Sequence, residues 1–432
     1  MLAPSELTKE EQYNETVKFL YGLERFGILL GLENISLLLE RMGNPQLTFP
    51  VVHVAGSNGK GSTSCFVSWI LREAGLRTAL YTSPHLNDFR ERIRIDGAKV
   101  SKEAVVESTE RVRSVYDPDR TTFFEFTTAV AFDCIAKARP EVAVIEVGLG
   151  GRLDATNTTR PAVTVITDIS REHEDYLGVG IASVAREKAG IIKERIPVIT
   201  GAARRDARHV IHGTAAERGS RVREFGRDFR GIRTGPDRFR YESERWTLDG
   251  LTPPRPVGYQ MKNASLAVAV AEELVVQGYD IPEPAVRRGI ENGRFPGRFE
   301  TLRRRPDVLI DGAHTAEGMR LLKNAFRTLY PGVRPLLLLG LLKDKNYDKL
   351  ARIIAPAAAE VVCVRPQGDR SLDPEVLAAI VESMGIPVET APSIPAGFER
   401  LMGRAAPDDV VLAAGSLYMI GPVRLACGVD DA

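Results

Sequence analysis

Val51-Val52-His53-Val54-Ala55-Gly56-Ser57-Asn58-Gly59-Lys60-Gly61-Ser62 decides how this chain is read. A β-branched apolar run stops at a glycine-rich turn, and a helix-compatible segment, Thr63 to Ala74, follows it. Strand, loop and helix joined in this way present backbone N–H groups and a helix N-terminus to a polyphosphate. Lys60 adds a point charge for the outer phosphates, and Ser62 a hydroxyl for the magnesium that accompanies them. A strict phosphate-loop pattern would place glycine at position 54 and a hydroxyl at 61. Val54 and Gly61 stand there instead, so the loop is shorter and its hydroxyl comes one residue later. A turn that merely uses glycines leaves Lys60, Ser62 and the flanking elements unexplained. The stretch Gly56–Ser62 therefore predicts nucleotide binding.

At 432 residues the chain has room for two or three domains, each with its own core. Hydrophobic residues make up 44% and charged residues 27%, ordinary values for a globular protein. The net charge of +1 gives no electrostatic case for nucleic acid or an anionic membrane as a general partner. Cys65, Cys134, Cys363 and Cys427 form no C-x-x-C pair, and the first three lie in apolar surroundings, which predicts buried reduced thiols. Met1–Glu11 lacks a basic-then-apolar signal pattern, and no apolar run is long enough to cross a bilayer. A cytoplasmic setting is the expectation.

Strand-like and helix-like segments alternate through most of the chain, which predicts an α/β protein with mainly parallel sheet. Short Val-, Ile- and Ala-rich strands are expected at 50–55, 77–81, 142–147, 162–168 and 196–200. Helical periodicity suits 14–22, 34–41, 63–74, 102–115 and 125–138. The Arg- and Gly-rich stretch 203–257 reads as irregular or antiparallel, and a helix is expected over 263–278. A second α/β series has strands at 307–311, 335–340, 360–365 and 409–414, with helices at 316–329, 346–356, 373–384 and 394–403. Gly293-Arg294-Phe295-Pro296-Gly297-Arg298 has the composition of an interdomain hinge. The expected domains are 1–296, a phosphate-loop ATPase unit, and 297–432, a smaller Rossmann-like unit, with nucleotide in the crevice between them.

Several strand ends carry groups suited to phosphate chemistry. Glu146 closes Val142-Ala143-Val144-Ile145 ahead of the turn Val147–Arg152, and ligands of parallel sheets gather at such carboxyl ends. His173, in Asp168–Tyr176, could complete a magnesium or water shell, or be a solvated histidine among acids. Lys188, in Val184–Lys193, could face solvent beside Glu187; a lysine held neutral by burial could instead take up carbon dioxide as a metal-binding carbamate. Ser83, in Thr82-Ser83-Pro84-His85-Leu86, is a turn residue or a metal-shell hydroxyl. Asp311 and His314 end a strand of the second series, where Asp311 could cap a helix, and Arg298 lies beside the hinge.

Taken together, these segments resemble the folylpolyglutamate synthase/dihydrofolate synthase family of the Mur ligase superfamily, from about Tyr21 to Arg424. The resemblance is carried by F-G-I-L-L-G-L-E-N-I at 26–35, H-V-A-G-S-N-G-K-G-S at 53–62, T-S-P-H-L and E-R-I within 82–93, and F-F-E-F-T-T-A at 123–129. It continues with E-V-G-L-G-G-R-L-D-A-T-N at 146–157, E-K-A-G-I-I-K at 187–193, P-G-R-F-E at 296–300, D-G-A-H at 311–314, L-K-D-K at 342–345 and G-S-L-Y at 415–418. It implies an ATP-dependent ligase that joins L-glutamate to dihydropteroate or to (tetrahydro)folate polyglutamates through an acyl phosphate, releasing ADP and phosphate.

By the same resemblance, Gly56, Ser57, Asn58, Gly59, Lys60, Gly61 and Ser62 hold ATP phosphates, and Asn263, Arg298, Asp311 and His314 contact ATP. Ser62, Ser83 and Glu146 bind a first magnesium; His173 and a carbamylated Lys188 serve a second. Lys60, Lys188, His173 and Glu146 form the catalytic set. Leu30, Gly31, Leu32, Thr122, Phe123, Phe124, Glu125, Leu153, Asp154 and Ala155 line a pterin site, and glutamate binds mostly in the second domain. The implied protein is a monomer. Tyr259 stands where a histidine is common, Thr315-Ala316 where Asn-Pro is common, Ser57 where threonine is common, and Ser170-Arg171-Glu172 where Gly-x-Asp is usual before His173. Two other readings compete: a Mur-type ligase acting on a cell-wall nucleotide precursor, and a nucleotide-gated interaction protein without ligase chemistry. The second leaves Glu146, His173 and Lys188 without a role.

Overall fold

The computed structural model describes residues 7–23, 30–254 and 257–429. Positions 26–29 of the segment 26–35, and 255–256 of the stretch 203–257, lie outside the described residues. The chain divides into two compact units: one made of Met1–Pro256 and Gln260–Arg294, the other of Val257–Tyr259 and Phe295–Ala432.

The first unit opens with α1 (Lys9–Gly22), started by a capping box between Thr8 and Glu11, and α2 (Glu33–Arg41). Then comes β1 (Val51–Ala55), buried at every position, and α3 (Lys60–Glu73). The loop glycines end β1, and the helix begins at Lys60, earlier than the expected 63, so Lys60–Ser62 form its first turn. β2 (Thr78–Tyr81), β3 (Ile93–Ile95), β4 (Ala98–Lys99), α4 (Lys102–Arg113) and α5 (Phe123–Ala138) follow.

β5 (Val142–Glu146), β6 (Pro161–Ile166), the one-turn α6 (Glu174–Leu177), α7 (Ile181–Ala189) and β7 (Val198–Thr200) come next. The sequence-based expectation for 203–257 needs correction at its start, where α8 (Arg205–Glu217) forms. Its Ala207, Ile211 and Ala215 bury a narrow stripe at helical spacing, which the surrounding arginines masked. β8 (Val222–Glu224) then joins the main sheet, while β9 (Phe229–Arg233), β10 (Phe239–Ser243) and β11 (Thr247–Leu251) make the antiparallel piece that was expected. From Gln260 onward α9 (Gly258–Val276), which starts before the expected 263, belongs to this unit, and α10 (Glu283–Asn292) closes it.

The main sheet runs β4-β3-β2-β5-β1-β6-β7-β8, parallel from β2 to β8. β1 lies between β5 and β6, with Val54 opposite Glu146 on one side and Ala55 opposite Ile166 on the other. The phosphate loop, Glu146 and the segment 167–173 therefore leave the sheet side by side at its carboxyl edge. Both faces of the sheet are covered. Val52, Val54, Phe66, Ile70 and the apolar run of α9 pack on one face; Val51, Tyr81, Phe126 and Ile145 pack on the other.

The second unit contains β12 (Glu300–Arg303), β13 (Asp307–Asp311), α11 (Ala316–Leu329), β14 (Leu336–Leu339), α12 (Tyr347–Ile354), β15 (Glu360–Cys363), α13 (Pro374–Glu382), β16 (Val388–Thr390), α14 (Ile394–Arg404), β17 (Val410–Ala414) and α15 (Leu417–Ala426). Its sheet order is β12-β13-β17-β14-β15-β16, parallel except for β12. The four cysteines are free thiols, and Cys65, Cys134 and Cys363 are buried. Among the described residues no helix is long and apolar enough to cross a membrane.

Candidate functional site

The loop after β1 can only be built with glycine at two points. Gly56 has φ +150°, and a Cβ there would sit 1.9 Å from Thr167 Oγ1; Gly59 has φ +87°, and its Cβ would meet Asn263 Oδ1 at 2.4 Å. Neighbouring strand ends brace the loop from below. Ser57 N–H donates to the Asp168 carbonyl (2.9 Å), Ser170 N–H donates to Ser57 Oγ (3.0 Å), and Thr167 Oγ1 donates to the Asn58 carbonyl (2.7 Å). Asn58 reaches Ser170 Oγ at 3.2 Å. Gly61 and Ser62 are buried in the first turn of α3, where the helix N-terminus adds its partial positive charge. Asn263, buried on α9, donates to Gln260 Oε1 at 3.2 Å.

Two lysines converge on one carbonyl. Lys60 Nζ donates to the Gly56 carbonyl at 2.8 Å, and Lys188 Nζ donates to the same oxygen at 2.9 Å. Lys188 is 2% exposed, so its wet-face reading is excluded; its other partner is Glu172, 2.7 Å away. Burial pulls the Lys188 pKa down, Glu172 pulls it back up, and Lys60 lowers it further. Burial works against ionisation of Glu172, but Lys188, then Lys60, then His173 overcome it and hold the carboxyl well below the usual carboxylate range. Glu172 was not singled out from sequence. Its position directly before His173, in an unusual Ser-Arg-Glu, was the available signal.

Glu146 is 4% exposed and accepts the Ser83 N–H at 3.3 Å. His173 adopts φ +48° and caps α6. Ser62, Ser83 and Glu146 are all oxygen donors, which fits a hard divalent cation. Among the described residues no three His, Cys, Asp or Glu side chains gather to hold a metal, so phosphate and water oxygens would have to complete such a shell.

The segments expected around a pterin also meet inside the first unit. Thr122 and Glu125 form a capping box at the start of α5, and Ile35 of α2 and Phe126 of α5 share one core just past Leu30-Gly31-Leu32. Phe123 stacks on Tyr21 with ring centroids 6.2 Å apart, and Arg92 lies 5.5 Å over the same ring. Phe124 occupies the space beside Gly148, where an added Cβ would stand 2.3 Å from its Cζ. Asp154 is buried just after Leu153 and caps the turn that begins at Ala155. Leu30 stays 39% exposed, an apolar side chain open to a ligand.

In the second unit, Asp311 is buried and accepts N–H groups from Phe299 and Ala313, both at 2.8 Å. It caps this turn, not α11, whose cap is Thr315. Burial raises its pKa and Arg298 works against that. His314 Nδ1 lies 2.8 Å from the Gly312 carbonyl, and a Cβ on Gly312 would meet Arg298 Nη1 at 2.6 Å. Arg298, Asp311 and His314 thus form one cluster.

A mainly parallel sheet carrying a glycine loop, followed by a smaller, mainly parallel unit, is the arrangement that two Mur ligase family models match. The Mur ligase middle domain family matches residues 54–234, and the Mur ligase glutamate ligase domain family matches 297–417. The folylpolyglutamate synthase of Lacticaseibacillus casei is 32% identical over 425 residues, 95% of this chain and 98% of that protein. The Yersinia pestis bifunctional folylpolyglutamate synthase/dihydrofolate synthase, solved with AMPPNP and a manganese ion, is 29% identical with a TM-score of 0.87, covering 96% of this chain and 98% of that one. A probable bifunctional folylpolyglutamate synthase/dihydropteroate synthase of Haloferax volcanii is 36% identical over 96% of this chain. The chain spans about half the length of that protein, 50%. The chain belongs to the folylpolyglutamate synthase/dihydrofolate synthase family.

Proposed function

We propose that this protein is an ATP-dependent ligase that joins L-glutamate to a pterin-bearing carboxylic acid, either dihydropteroate or a (tetrahydro)folate polyglutamate. The observation that carries the reading is the convergence of Lys60 and Lys188 on the Gly56 carbonyl, at a sheet edge shared with Glu146. Lys60, the loop N–H groups and the N-terminus of α3 neutralise the triphosphate while the acceptor carboxylate attacks the γ-phosphorus. ADP leaves, and an acyl phosphate forms. The glutamate amine then adds to the activated carbonyl, and the tetrahedral intermediate expels inorganic phosphate. Attack on a buried mixed anhydride requires water to be kept out, a task suited to the apolar faces of Phe123, Phe124 and Leu30.

Ser62, Ser83 and Glu146 would hold one magnesium and His173 would stand beside a second, and such ions would supply Lewis-acid charge neutralisation. Burial favours the neutral Lys188 amine that carbon dioxide needs for carbamate formation; the ammonium contact to Glu172 opposes it. Arg298, Asp311 and His314 contact the nucleotide, the second unit takes glutamate, and the protein acts as a monomer in the cytoplasm.

The test uses purified protein with MgATP and L-glutamate, offering dihydropteroate, a reduced folate and a UDP-sugar precursor separately, with products weighed by mass spectrometry. A glutamylated pterin with stoichiometric ADP is expected. ADP release independent of glutamate, or a product only from the UDP-sugar, overturns the proposal.

A further inference from the structure

His53 is fully buried in the middle of β1, the strand that delivers the phosphate loop, and by the alternation of a strand it shares a sheet face with Val51. Its Nε2 lies 2.9 Å from Thr156 Oγ1. Thr156 Oγ1 in turn lies 2.5 Å from Asp154 Oδ1, which also accepts the Thr156 N–H at 3.0 Å. The other carboxylate oxygen accepts the Leu149 N–H at 2.8 Å. The Leu149 and Thr156 N–H groups and the Thr156 hydroxyl thus all donate to this acceptor-only group.

Proton counting then orients the chain of bonds. Thr156 has one hydroxyl proton, and the carboxylate of Asp154, surrounded by donors, receives it. The hydroxyl must therefore accept from His53, so the imidazole carries its proton on Nε2. His53 Nδ1 is buried without a partner. A bare acceptor there is tolerable in a way that an orphaned N–H is not. Burial holds this imidazole neutral, down at about 3.

The segment pinned by Asp154 is the glycine turn after Glu146. Gly148 leaves room for the Phe124 ring, and Gly151 packs against the Glu187 carbonyl, 2.8 Å from where its Cβ would be. Arg152 N–H donates to that carbonyl at 2.7 Å. The turn thus touches both the start of α5 and the helix that carries Lys188, so a displacement here moves the wall of the pterin site.

Resting on the substrate class proposed above, we infer that His53 is a positioning residue for the pterin-bearing acid, acting through Thr156 and Asp154 to hold the turn Gly148–Gly151 against Phe124. It touches neither substrate nor nucleotide. Two measurements test this. The first needs no substrate: imidazole nitrogen shifts in the purified wild-type protein should show a neutral Nε2–H tautomer from pH 5 to pH 8. An Nδ1–H tautomer or a titrating ring overturns the relay.

The second measurement is kinetic. His53→Leu and Thr156→Val should each raise KM for the pterin acid by about tenfold while KM for MgATP stays within about twofold. The double variant should be no worse than Thr156→Val alone, because the two residues act in one chain. His53→Gln, which keeps a donor near the Nε2 position, and Thr156→Ser should restore most of the loss. Equal effects on both substrates, additive losses, or no recovery by the Gln and Ser variants overturn the inference. A wild-type protein that glutamylates no pterin would sink the proposed function instead, and the tautomer measurement would still decide the relay.

Discussion

Lys188 and Glu172 form an ion pair at 2.7 Å with both side chains almost wholly buried, directly beneath the phosphate loop. Neither residue looks exceptional in the chain. Lys188 has an acidic neighbour, and Glu172 lies in a run of charges. Their pairing sets the electrostatics of the site, because Glu172 is also close enough to Lys60 and His173 for both to favour its ionised form.

Removing one member of that pair strands the other in the interior. Lys188→Met should destabilise the protein by about 3–5 kcal/mol, measured by urea unfolding, and Lys188→Met/Glu172→Gln should recover part of the loss. A single variant as stable as the double one would show that the pair is not coupled. Lys188→Ala should also weaken divalent-cation binding and turnover. Incubating wild-type protein with labelled bicarbonate should give a carbamate signal that this variant lacks.

Under the proposed function, Lys60→Ala should lower turnover by roughly 10²–10³-fold, since it would remove a charge that neutralises the transferring phosphoryl group. Stability should fall less than in Lys188→Met, because Lys60 bonds only to the backbone carbonyls of Gly56 and Ser57 and acts on Glu172 without touching it. Steady-state ADP release and a thermal melt check both halves.

Glu146→Gln keeps the shape and the Ser83 contact but removes the charge. The magnesium concentration for half-maximal activity should rise by about tenfold, with the pterin KM unaffected. Magnesium titrations at saturating ATP read this directly.

Gly289 sits where α10 crosses α3, and a Cβ there would lie 2.5 Å from Ile70 Cα and 2.6 Å from Ile70 N. Backbone cannot step aside as a flexible side chain can. Gly289→Ala should therefore cost about 1–3 kcal/mol, read from the urea midpoint at an unchanged slope.

His53 makes acid unfolding easier. In the unfolded chain it takes a proton below its ordinary value of 6.5, whereas the native imidazole stays neutral down to about 3. Between those values the unfolded state binds more protons, so stability falls as pH drops, by on the order of 1 kcal/mol per pH unit for this group. In His53→Gln that share is absent. The stability gap between wild type and variant should narrow steadily as the pH is lowered from 7 to about 4.

Much of the architecture could be read from local patterns. Val51–Ala55 and Val142–Glu146 are short, apolar and bounded by turn residues, as buried parallel strands must be, and both form within a residue of expectation. α8 escaped because its buried stripe is only Ala207, Ile211 and Ala215 among arginines. α3 begins at Lys60 because a helix start is set by loop geometry that hydrophobic period does not report. That Gly56–Ser62 and Glu146 would leave the sheet at one edge was legible from a strand end followed by glycine. The surroundings of Lys188 were not, since a nine-residue helix with one lysine has the same local pattern whether that face meets water or the floor of a loop.

By itself, the order of residues determined most of the elements and the glycine-rich turn between β1 and α3, because these depend on neighbours a few positions apart. What only the tertiary structure decided is which distant groups share a dielectric. Glu172 meets Lys188, Lys60 and Lys188 meet one carbonyl, and His53 reaches Asp154 through Thr156. Burial multiplies the strength of such contacts and settles their protonation, and burial is a property of the packed chain rather than of any stretch of it.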